Sequence, residues 1–264
     1  MVLPKTLCKE REETMSAKHN QLAGTLTDEI LSGRYQAGDR LPSERELAVR
    51  FNVNRGAVRE AMSRLSQLGV ADVQPGGARV APINEASLDI IGHMLAATRV
   101  PDAQLLEQIF DVVERLLSMA AEALVERGRD ADIEAVRAQL SRLFDNGLDG
   151  EAHAAARIEM MRTIMITSGN LVCQLIAHGL FKQFAPTLEA VKPYVQLDVE
   201  AFNRIARRLE GALANRDRRA VREVFDDFAE LHARTLAPAI EAAARQSVRH
   251  AVRQSESLPE VAAS

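Results

Sequence analysis

The sequence has few aromatic residues and very little cysteine. Its 264 residues include no Trp, two Tyr, eight Phe and two Cys. A chain so poor in aromatic residues and so rich in Ala, Leu, Arg and Glu is typical of a mainly helical protein. Cys8 lies in a polar segment and Cys173 in an apolar one, so a structural disulfide is not predicted and Cys173 is expected to be a buried, inert thiol.

Long apolar runs are also missing. No stretch of about 18 consecutive apolar residues is present, so a membrane-spanning helix is not predicted. The N-terminal residues lack the basic and then apolar pattern of an export signal. We therefore expect a cytoplasmic protein that has no membrane partner.

Sequence motifs that carry catalysis are absent as well. The chain has no G-x-S-x-G, no H-E-x-x-H and no glycine-rich phosphate-binding loop. An enzyme with its active site in the helical part of the chain would need acid, base or nucleophile residues that come together in space. Without such a pattern we predict that the chain is not an enzyme and that it needs no cofactor.

Charge is divided unevenly along the chain. The formal net charge of −4 argues against nucleic-acid binding only while the chain is taken as a whole. Residues 1–83 carry 12 Lys and Arg against 10 Asp and Glu, whereas residues 84–264 carry 21 against 27. Because DNA binding needs only a local cationic surface, this asymmetry favours a DNA-binding domain at the N-terminal end.

Residues 41–80 have the pattern of a helix-turn-helix followed by a small β wing. Ser43 and Glu46 have the S-x-x-E spacing of a capping box, which predicts the start of a first helix. Asn52 lies where the chain must turn, and Asn tolerates positive φ better than most residues. Asn54 can then cap a second helix. The apolar stripe of that second helix has helical spacing: Val58, Ala61, Met62, Leu65 and Leu68.

The predicted wing follows Gly69, which is a natural helix C-cap. Two short apolar segments flank Gln74-Pro75-Gly76-Gly77, as in a hairpin with a glycine tip. In DNA-binding proteins of this kind, the second helix contacts base edges in the major groove and the wing backbone approaches the phosphates or the minor groove. Arg55 and Arg59 lie one turn apart and outside the apolar stripe, so they can reach one groove together. The alternative is that both arginines are only solvent-exposed charges on a surface helix.

Residues 21–81 resemble the winged helix-turn-helix domain of the GntR family of bacterial transcription regulators. Many positions match in order and at fixed spacing: Ile30-x-x-Gly33, Gly38-x-x-Leu41-Pro42-Ser43-Glu44-Arg45-Glu46-Leu47-Ala48, Val53-Asn54-Arg55, Val58-Arg59-Glu60-Ala61 and Leu65-x-x-x-Gly69. The family usually has Gly-Val-Ser-Arg-x-Pro-Val-Arg where residues 52–59 of this chain are Asn-Val-Asn-Arg-Gly-Ala-Val-Arg. The changes at Asn54 and Gly56 leave the operator sequence open.

The resemblance implies that the arginines matching family contact positions bind double-stranded operator DNA. Together with the neighbouring helix start and the wing tip they form the candidate DNA-binding set: Arg45, Asn54, Arg55, Gly56, Ala57, Arg59, Gly76 and Gly77.

From Ser87 onwards the apolar spacing is helical almost throughout. Breaks in this pattern divide the remainder into six or seven helices, so an antiparallel bundle is the economical architecture. Pro186 and Pro193 are expected to interrupt the chain after a helix over residues 171–184, and the last helix is expected to end near Val248.

The predicted fold class is therefore mainly α, with an N-terminal winged helix-turn-helix, a small β wing and a C-terminal antiparallel bundle of six or seven helices. The predicted divisions are a disordered arm at residues 1–17, a winged helix-turn-helix domain at 18–82, a helical effector-binding and dimerisation domain at 83–248, and a disordered tail at 249–264.

The helical part resembles the ligand-binding domain of the FadR subfamily. The matching residues are Thr167-Ser168-Gly169-Asn170, Ala212-x-x-Asn215-Arg216-Asp217 and Ala120-Ala121. The resemblance implies a homodimer that binds a pseudo-palindromic operator, and a small-molecule effector that alters the spacing of the two DNA-binding domains. Dimerisation also follows physically, because one small domain contacts too few base pairs and a two-fold pair contacts two half-sites.

Many members of this subfamily hold a metal ion with one Asp and three His. Counted from the matching motifs, the corresponding residues of this chain are Arg157, Met161, Ala206 and Phe228. These side chains do not offer carboxylate or imidazole donors, so no metal is predicted. A shifted metal site is the alternative, and its candidates are His153, His178 and His232. No two of these lie at helical i, i+3 or i, i+4 spacing.

Apolar residues stand where the polar groups are missing. The candidate effector-binding residues are Val113, Leu117, Met161, Met165 and Phe228. Methionine adapts to flexible apolar ligands, so these residues could line a pocket for an acyl chain. Metal-free members of the subfamily include a regulator that binds long-chain acyl-CoA. The alternative is ordinary core, which is the more frequent meaning of a Met and Phe stripe at helical spacing.

The leading hypothesis is thus a dimeric, ligand-responsive transcription regulator with an acyl-type effector. One alternative is a constitutive operator binder whose helical domain only dimerises, and it predicts DNA binding that no metabolite changes. The other is a carboxylate-responsive regulator with the shifted metal site.

Overall fold

The computed structural model describes residues 19–97, 102–145 and 148–256. The chain folds into two compact units, of which the first ends at Ala97. In the first unit the elements are α1 at residues 19–31, α2 at Glu44–Arg50, α3 at Arg55–Gln67, β1 at Ala71–Gln74, β2 at Gly77–Val80, a 3-10 turn at Ile83–Glu85 and α4 at Ile90–Ala97.

The first unit is a winged helix-turn-helix built around one apolar core. The two strands pair antiparallel as a wing, with Ala71 opposite Val80 and Gln74 opposite Gly77. All three N-terminal helices, the wing and α4 contribute to the core, which includes Leu22, Leu26, Leu47, Val58, Leu65, Val80 and Ile90. Burial of this apolar surface is the main force that holds so small a domain together.

The first unit extends beyond the predicted boundary at residue 82. Ile90 is buried in its core and Met94 packs against it, so α4 belongs to this unit. The sequence assigned these residues to the helical domain because their apolar spacing is helical. Periodicity identifies a helix but not the core on which the helix packs.

The second unit contains six α-helices in its described residues, which confirms the predicted mainly α fold class. They are α5 at Ala103–Arg127, α6 at Asp130–Leu143, α7 at Gly150–Thr167, α8 at Leu171–Val191, α9 at Val199–Ala214 and α10 at Arg218–Glu256, with a 3-10 turn at Lys192–Tyr194. The longest helix, α10, packs on α5 and α9, while α6 packs on α7 and α9. Their shared core is a single apolar cluster.

Two helices are longer than the sequence predicted. Pro186 lies inside α8, which continues to Val191 instead of ending near Phe184. Phe184 and Val191 are both buried, so packing on either side of the proline offsets the backbone hydrogen bond that it removes.

The second extension is at the C-terminal end. α10 contains Pro238 and extends to Glu256, so the tail predicted to be disordered from residue 249 is helical as far as Glu256. Residues 249–256 contain no Gly or Pro and favour a helix through Ala, Arg, Gln and Glu. The predicted arm at residues 1–17 and the end of the predicted tail lie outside the described residues.

Two smaller predictions concern the membrane and cysteine. Within the described residues, every helix is too short or too polar to cross a lipid bilayer. Cys173 is a free thiol with 3% of its surface exposed, as predicted, and Cys8 lies outside the described residues.

A carboxylate on α5 joins it to the start of α10. Glu122 is buried, and its Oε2 accepts hydrogen bonds from Arg218 Nε at 2.6 Å and from Arg222 Nη2 at 2.7 Å. The hydrogen bond from Arg222 and then that from Arg218 lower the pKa of Glu122 from 4.5 to about 2, against the opposing effect of burial.

We expect Glu122→Gln to lower the free energy of unfolding by about 1–3 kcal/mol at pH 7, because the amide cannot form the charged pairs. The folded pKa lies below the unfolded one, so this stabilisation is complete above pH 4.5 and is lost as the pH falls towards 2. Urea unfolding at pH 7 and pH 3 should show the difference from the natural chain shrinking. Glu134→Gln, at an exposed carboxylate, is the control; a difference that does not change with pH would contradict the assignment.

Candidate functional site

The first turn of α2 is held by the predicted capping box. The Glu46 N–H donates to Ser43 Oγ at 3.3 Å, and the Ser43 N–H donates to Glu46 Oε2 at 2.7 Å. Leu47 anchors the opposite face of α2 with no exposed surface. Arg45 therefore lies on the exposed side of a fixed helix start.

The turn between α2 and α3 depends on Asn52. Its φ is 50°, in the left-handed region that the sequence predicted for this position. The Val53 N–H then donates back to the Ala48 carbonyl at 3.0 Å. This closes the turn and sets where α3 begins.

Asn54 caps α3, and its side-chain oxygen accepts the Ala57 N–H at 2.8 Å. The first turn of α3 contains no acidic residue, so the positive end of the helix dipole is not neutralised there. Backbone N–H groups at such a helix start favour a phosphate. Arg55, Gly56 and Arg59 are exposed around this start.

Ala57 differs from the other members of the candidate DNA-binding set. Its side chain is 5% exposed and its N–H is used by the Asn54 cap. It therefore offers no accessible side chain to a groove. Gly56 has a separate reason to lack a side chain, because a Cβ there would lie 3.2 Å from the capping oxygen of Asn54.

The candidate arginines differ in whether they form a salt bridge. Arg59 Nε lies 3.0 Å from Glu44 Oε2, in an exposed pair between α3 and α2. Within residues 19–97 the structure gives no ion pair to Arg45 or Arg55. These two cations are available to a nucleic acid without first breaking a salt bridge.

Two other arginines of this unit are engaged on Glu29. Arg50 Nη1 donates to Glu29 Oε2 at 2.9 Å and Arg34 Nη1 donates to Oε1 at 2.5 Å. The hydrogen bond from Arg50 is the largest cause of the lowered pKa of Glu29. Arg50 thus ties α2 to α1, Arg34 holds the turn after α1, and neither arginine is in the candidate set.

The wing tip is a tight turn with Pro75 and Gly76 at its centre. Gly76 has a φ of 106°, as the third residue of a type II turn requires, and proline suits the position before it. Gly77 has a φ of 138°. Both candidate wing glycines are exposed.

Arg40 is a wing residue that sequence reasoning missed. Its guanidinium donates to the Gly76 carbonyl, and a Cβ on Gly77 would lie 3.1 Å from that guanidinium. Its backbone forms an antiparallel bridge with Arg79. The contact joins positions 36 residues apart, so only the missing side chain at Gly77 hints at it in the sequence.

The candidate effector residues lie in the second unit, within or against its core. Leu117, Met165 and Phe228 belong to the apolar core cluster, while Val113 and Met161 are partly buried and pack on it. The structure thus brings them to one core.

A polar network crosses the same bundle, and the sequence did not predict it. Arg157 Nη2 lies 2.6 Å from His232 Nε2, and His232 Nδ1 lies 2.5 Å from Glu114 Oε1. Because arginine can only donate, His232 Nε2 must accept and Nδ1–H must donate to Glu114. Burial lowers the pKa of Arg157 to about 10, and its guanidinium lies 4.0 Å from the centre of the Phe202 ring.

The three histidines of the alternative metal site share no hydrogen-bond partner among the described residues, although His153 and His232 both lie near the Phe202 ring. His153 Nε2 lies 3.1 Å from Asn203 Oδ1, His232 is in the network above, and His178 is exposed on α8. Among the described residues, no group of three His, Cys, Asp or Glu could hold a metal ion.

Comparison with known proteins places the clearest similarity in the first unit. Residues 18–80 match the family model described as bacterial regulatory proteins, gntR family. The HTH-type transcriptional regulator Mce2R of Mycobacterium tuberculosis is 26% identical over 210 residues, which cover 78% of this chain and 86% of that protein. The galactonate operon transcriptional repressor of Escherichia coli is 26% identical over 164 residues, which cover 61% of this chain and 71% of that protein.

Among solved structures, that of Streptococcus agalactiae GntR is 20% identical to this chain. The match covers 82% of this chain and 99% of that one, with a TM-score of 0.44.

We expect Arg55→Ala to weaken operator binding by about 1–3 kcal/mol if the guanidinium contacts a guanine, without unfolding the domain. Arg59→Ala should have an effect in the same range. Arg64→Ala, at the other end of α3, is the matched control because its exposed arginine is far from the helix start. Fluorescence anisotropy with labelled duplex at fixed salt measures the effect, and equal affinities for all three variants would remove Arg55 and Arg59 from the contact set.

Arg40→Ala should weaken operator binding by roughly 0.5–1.5 kcal/mol, because the wing tip loses a hydrogen bond that positions it. If Arg40 acts on the wing and not on a phosphate, the dependence of affinity on salt concentration should keep its slope. Arg40→Lys should restore part of the affinity. A slope that falls by about one instead would show that Arg40 is itself a phosphate contact.

Proposed function

We propose that this chain, whose N-terminal unit is a GntR-type winged helix-turn-helix domain, is a transcription regulator that binds operator DNA. The observation that carries the proposal is the start of α3, where Arg55, Gly56 and Arg59 are exposed around a helix end without acidic residues. The match of residues 18–80 to the family and the regulators among its relatives support the same function.

We further propose that the regulator acts as a homodimer on a pseudo-palindromic operator. One α3 helix contacts only a few base pairs, and two domains related by a two-fold axis contact two half-sites about one helical turn apart. The C-terminal bundle, with its own core, is the part proposed to dimerise and to bind an effector.

A small metabolite in the bundle is proposed to modulate operator binding. An acyl-type ligand remains one hypothesis, and it would require the core to open. Leu117 and Phe228 are 1% and 2% exposed, so a chain lying between them must displace existing contacts. A constitutive operator binder is the competing function, with a bundle that only dimerises.

Selection of duplexes from a random pool by the full-length chain tests DNA binding and symmetry together. We expect enrichment of a two-fold symmetric site and two chains per duplex in native mass spectrometry. The double variant Arg45→Ala and Arg55→Ala is the control for retention through other surfaces. The proposal is wrong if the natural chain enriches no sequence beyond what this variant enriches.

Isothermal titration of the full-length chain with acyl-CoAs and free fatty acids of several lengths tests the acyl hypothesis. We expect saturable binding, with an affinity that rises with the length of the acyl chain, because each buried methylene adds to the free energy of binding. Phe228→Ala and Ile158→Ala make a matched pair, since the first residue is in the core and the second is exposed. The absence of heat at every length would eliminate the acyl ligand and leave DNA binding unaffected.

A further inference from the structure

A small cavity lies between α5 and α10 in the C-terminal unit. Its volume is about 40 Å³. The α10 side includes Ala229, Ala233 and Ala237, which follow each other at one-turn intervals. Short side chains at these positions leave space against α5, which supplies Phe110 and Glu114 to the lining.

Glu114 gives this cavity a buried acceptor that is only half used. The residue is 5% exposed, and its Oε1 accepts the hydrogen bond from His232. Its Oε2 is buried and has no hydrogen-bond partner among the described residues. A buried carboxylate oxygen without a donor is unfavourable, so a ligand that supplies an N–H or O–H group would be stabilised there.

The neighbouring groups cannot supply that donor from the protein side. His232 is committed to Oε1 through Nδ1 and to Arg157 through Nε2. The remaining lining residues from α10 are Ala229, Ala233, Ala237, Leu236 and Ile240, whose side chains carry no donor. As far as the described residues are concerned, the donor must therefore come from water or from a ligand.

The acidic residues around the cavity favour a cationic ligand. Glu107 and Asp111 also line it, both exposed and without an ion pair among the described residues. In the part of the chain that the structure describes, no Lys or Arg lines it. Arg157 is hydrogen-bonded to Glu114 through His232, so among the described residues the lining itself contains three carboxylates and no cation.

The three carboxylates follow one another along α5. At 1.5 Å per residue, Asp111 and Glu107 lie roughly 4.5 Å and 10 Å along the helix axis from Glu114. The cavity exceeds the roughly 10–15 Å³ that one water-sized probe needs, so it has room for an ammonium group. Leu236 and Ile240 offer apolar contact to a short methylene chain.

We propose that this cavity is a binding site for a short aliphatic diamine. One ammonium group donates to Glu114 Oε2, the methylenes lie along the apolar wall, and the second ammonium group meets Glu107 and Asp111. The site does not use any of the five residues of the acyl hypothesis. Binding at this site is independent of the proposed function, and only its effect on operator affinity rests on that function.

Isothermal titration of the full-length chain with 1,4-diaminobutane tests the site, with butylamine and 1,4-butanediol as probes that have the same four-carbon chain. We expect saturable diamine binding, at least tenfold weaker binding of butylamine, and no heat with the diol. Diamine binding no stronger than that of butylamine, or binding of the diol, would overturn the proposal. So would the absence of saturable heat, since the cavity would then hold only water.

Two sets of variants locate the binding. Glu114→Gln should abolish diamine binding, and circular dichroism checks that the bundle still folds. The double variant Glu107→Gln and Asp111→Asn changes only exposed residues and should reduce the diamine affinity to that of butylamine. The matched control, Glu134→Gln with Glu159→Gln, removes two carboxylates from α6 and α7 and should leave binding unchanged. Diamine binding that survives both test variants would place the ligand elsewhere.

Operator binding and diamine binding, each measured by itself, distinguish the two proposals. Operator binding without diamine binding overturns the diamine site alone. Diamine binding to a chain that selects no operator overturns the proposed function alone.

Discussion

Burial of one face of α3 is the constraint on which the DNA-binding surface depends. Val58, Ala61 and Leu65 have no exposed surface, so the helix cannot rotate without exposing its core. The Asn54 cap fixes where the helix begins, and Asn52 fixes the direction from which the chain arrives. The exposed positions of Arg55 and Arg59 are a consequence of these three features.

The wing is connected to the same framework from the other side. The Leu41 N–H donates to the Ala78 carbonyl at 2.9 Å, so the segment that leads into α2 also supports β2. The Arg40 guanidinium extends this support to the Gly76 carbonyl at the tip. The start of α2 and the wing are thus positioned by one short segment, and Arg45 and the wing glycines share a common support.

The C-terminal bundle combines an apolar core with charged groups that are paired inside it. Arg157, His232 and Glu114 form a hydrogen-bonded series in which each member constrains the next. A buried charge is costly unless it is paired and hydrogen-bonded. The series therefore lowers the free-energy cost of burying Arg157 and Glu114 in the bundle. It also leaves one oxygen of Glu114 without a donor, and that oxygen is the basis of the diamine proposal.

Local patterns in the sequence determined the elements of this protein and several of their ends. The capping box at Ser43, the Asn54 cap and the positive φ of Asn52 were all predicted, because each depends on side chains within a few residues. The wing and the helical second unit follow from apolar spacing for the same reason. Sequence reasoning also selected the candidate residues around α3, although Ala57 has its side chain in the interior.

Tertiary structure alone decided the features that join distant parts of the chain. The assignment of α4 to the first unit, the passage of α8 through Pro186 and the Arg40 contact with the wing depend on packing that no local pattern encodes. The Arg157, His232 and Glu114 series joins residues on three helices, up to 118 positions apart. Hydrophobic burial sets such juxtapositions, and it acts on the whole core rather than on neighbours in sequence.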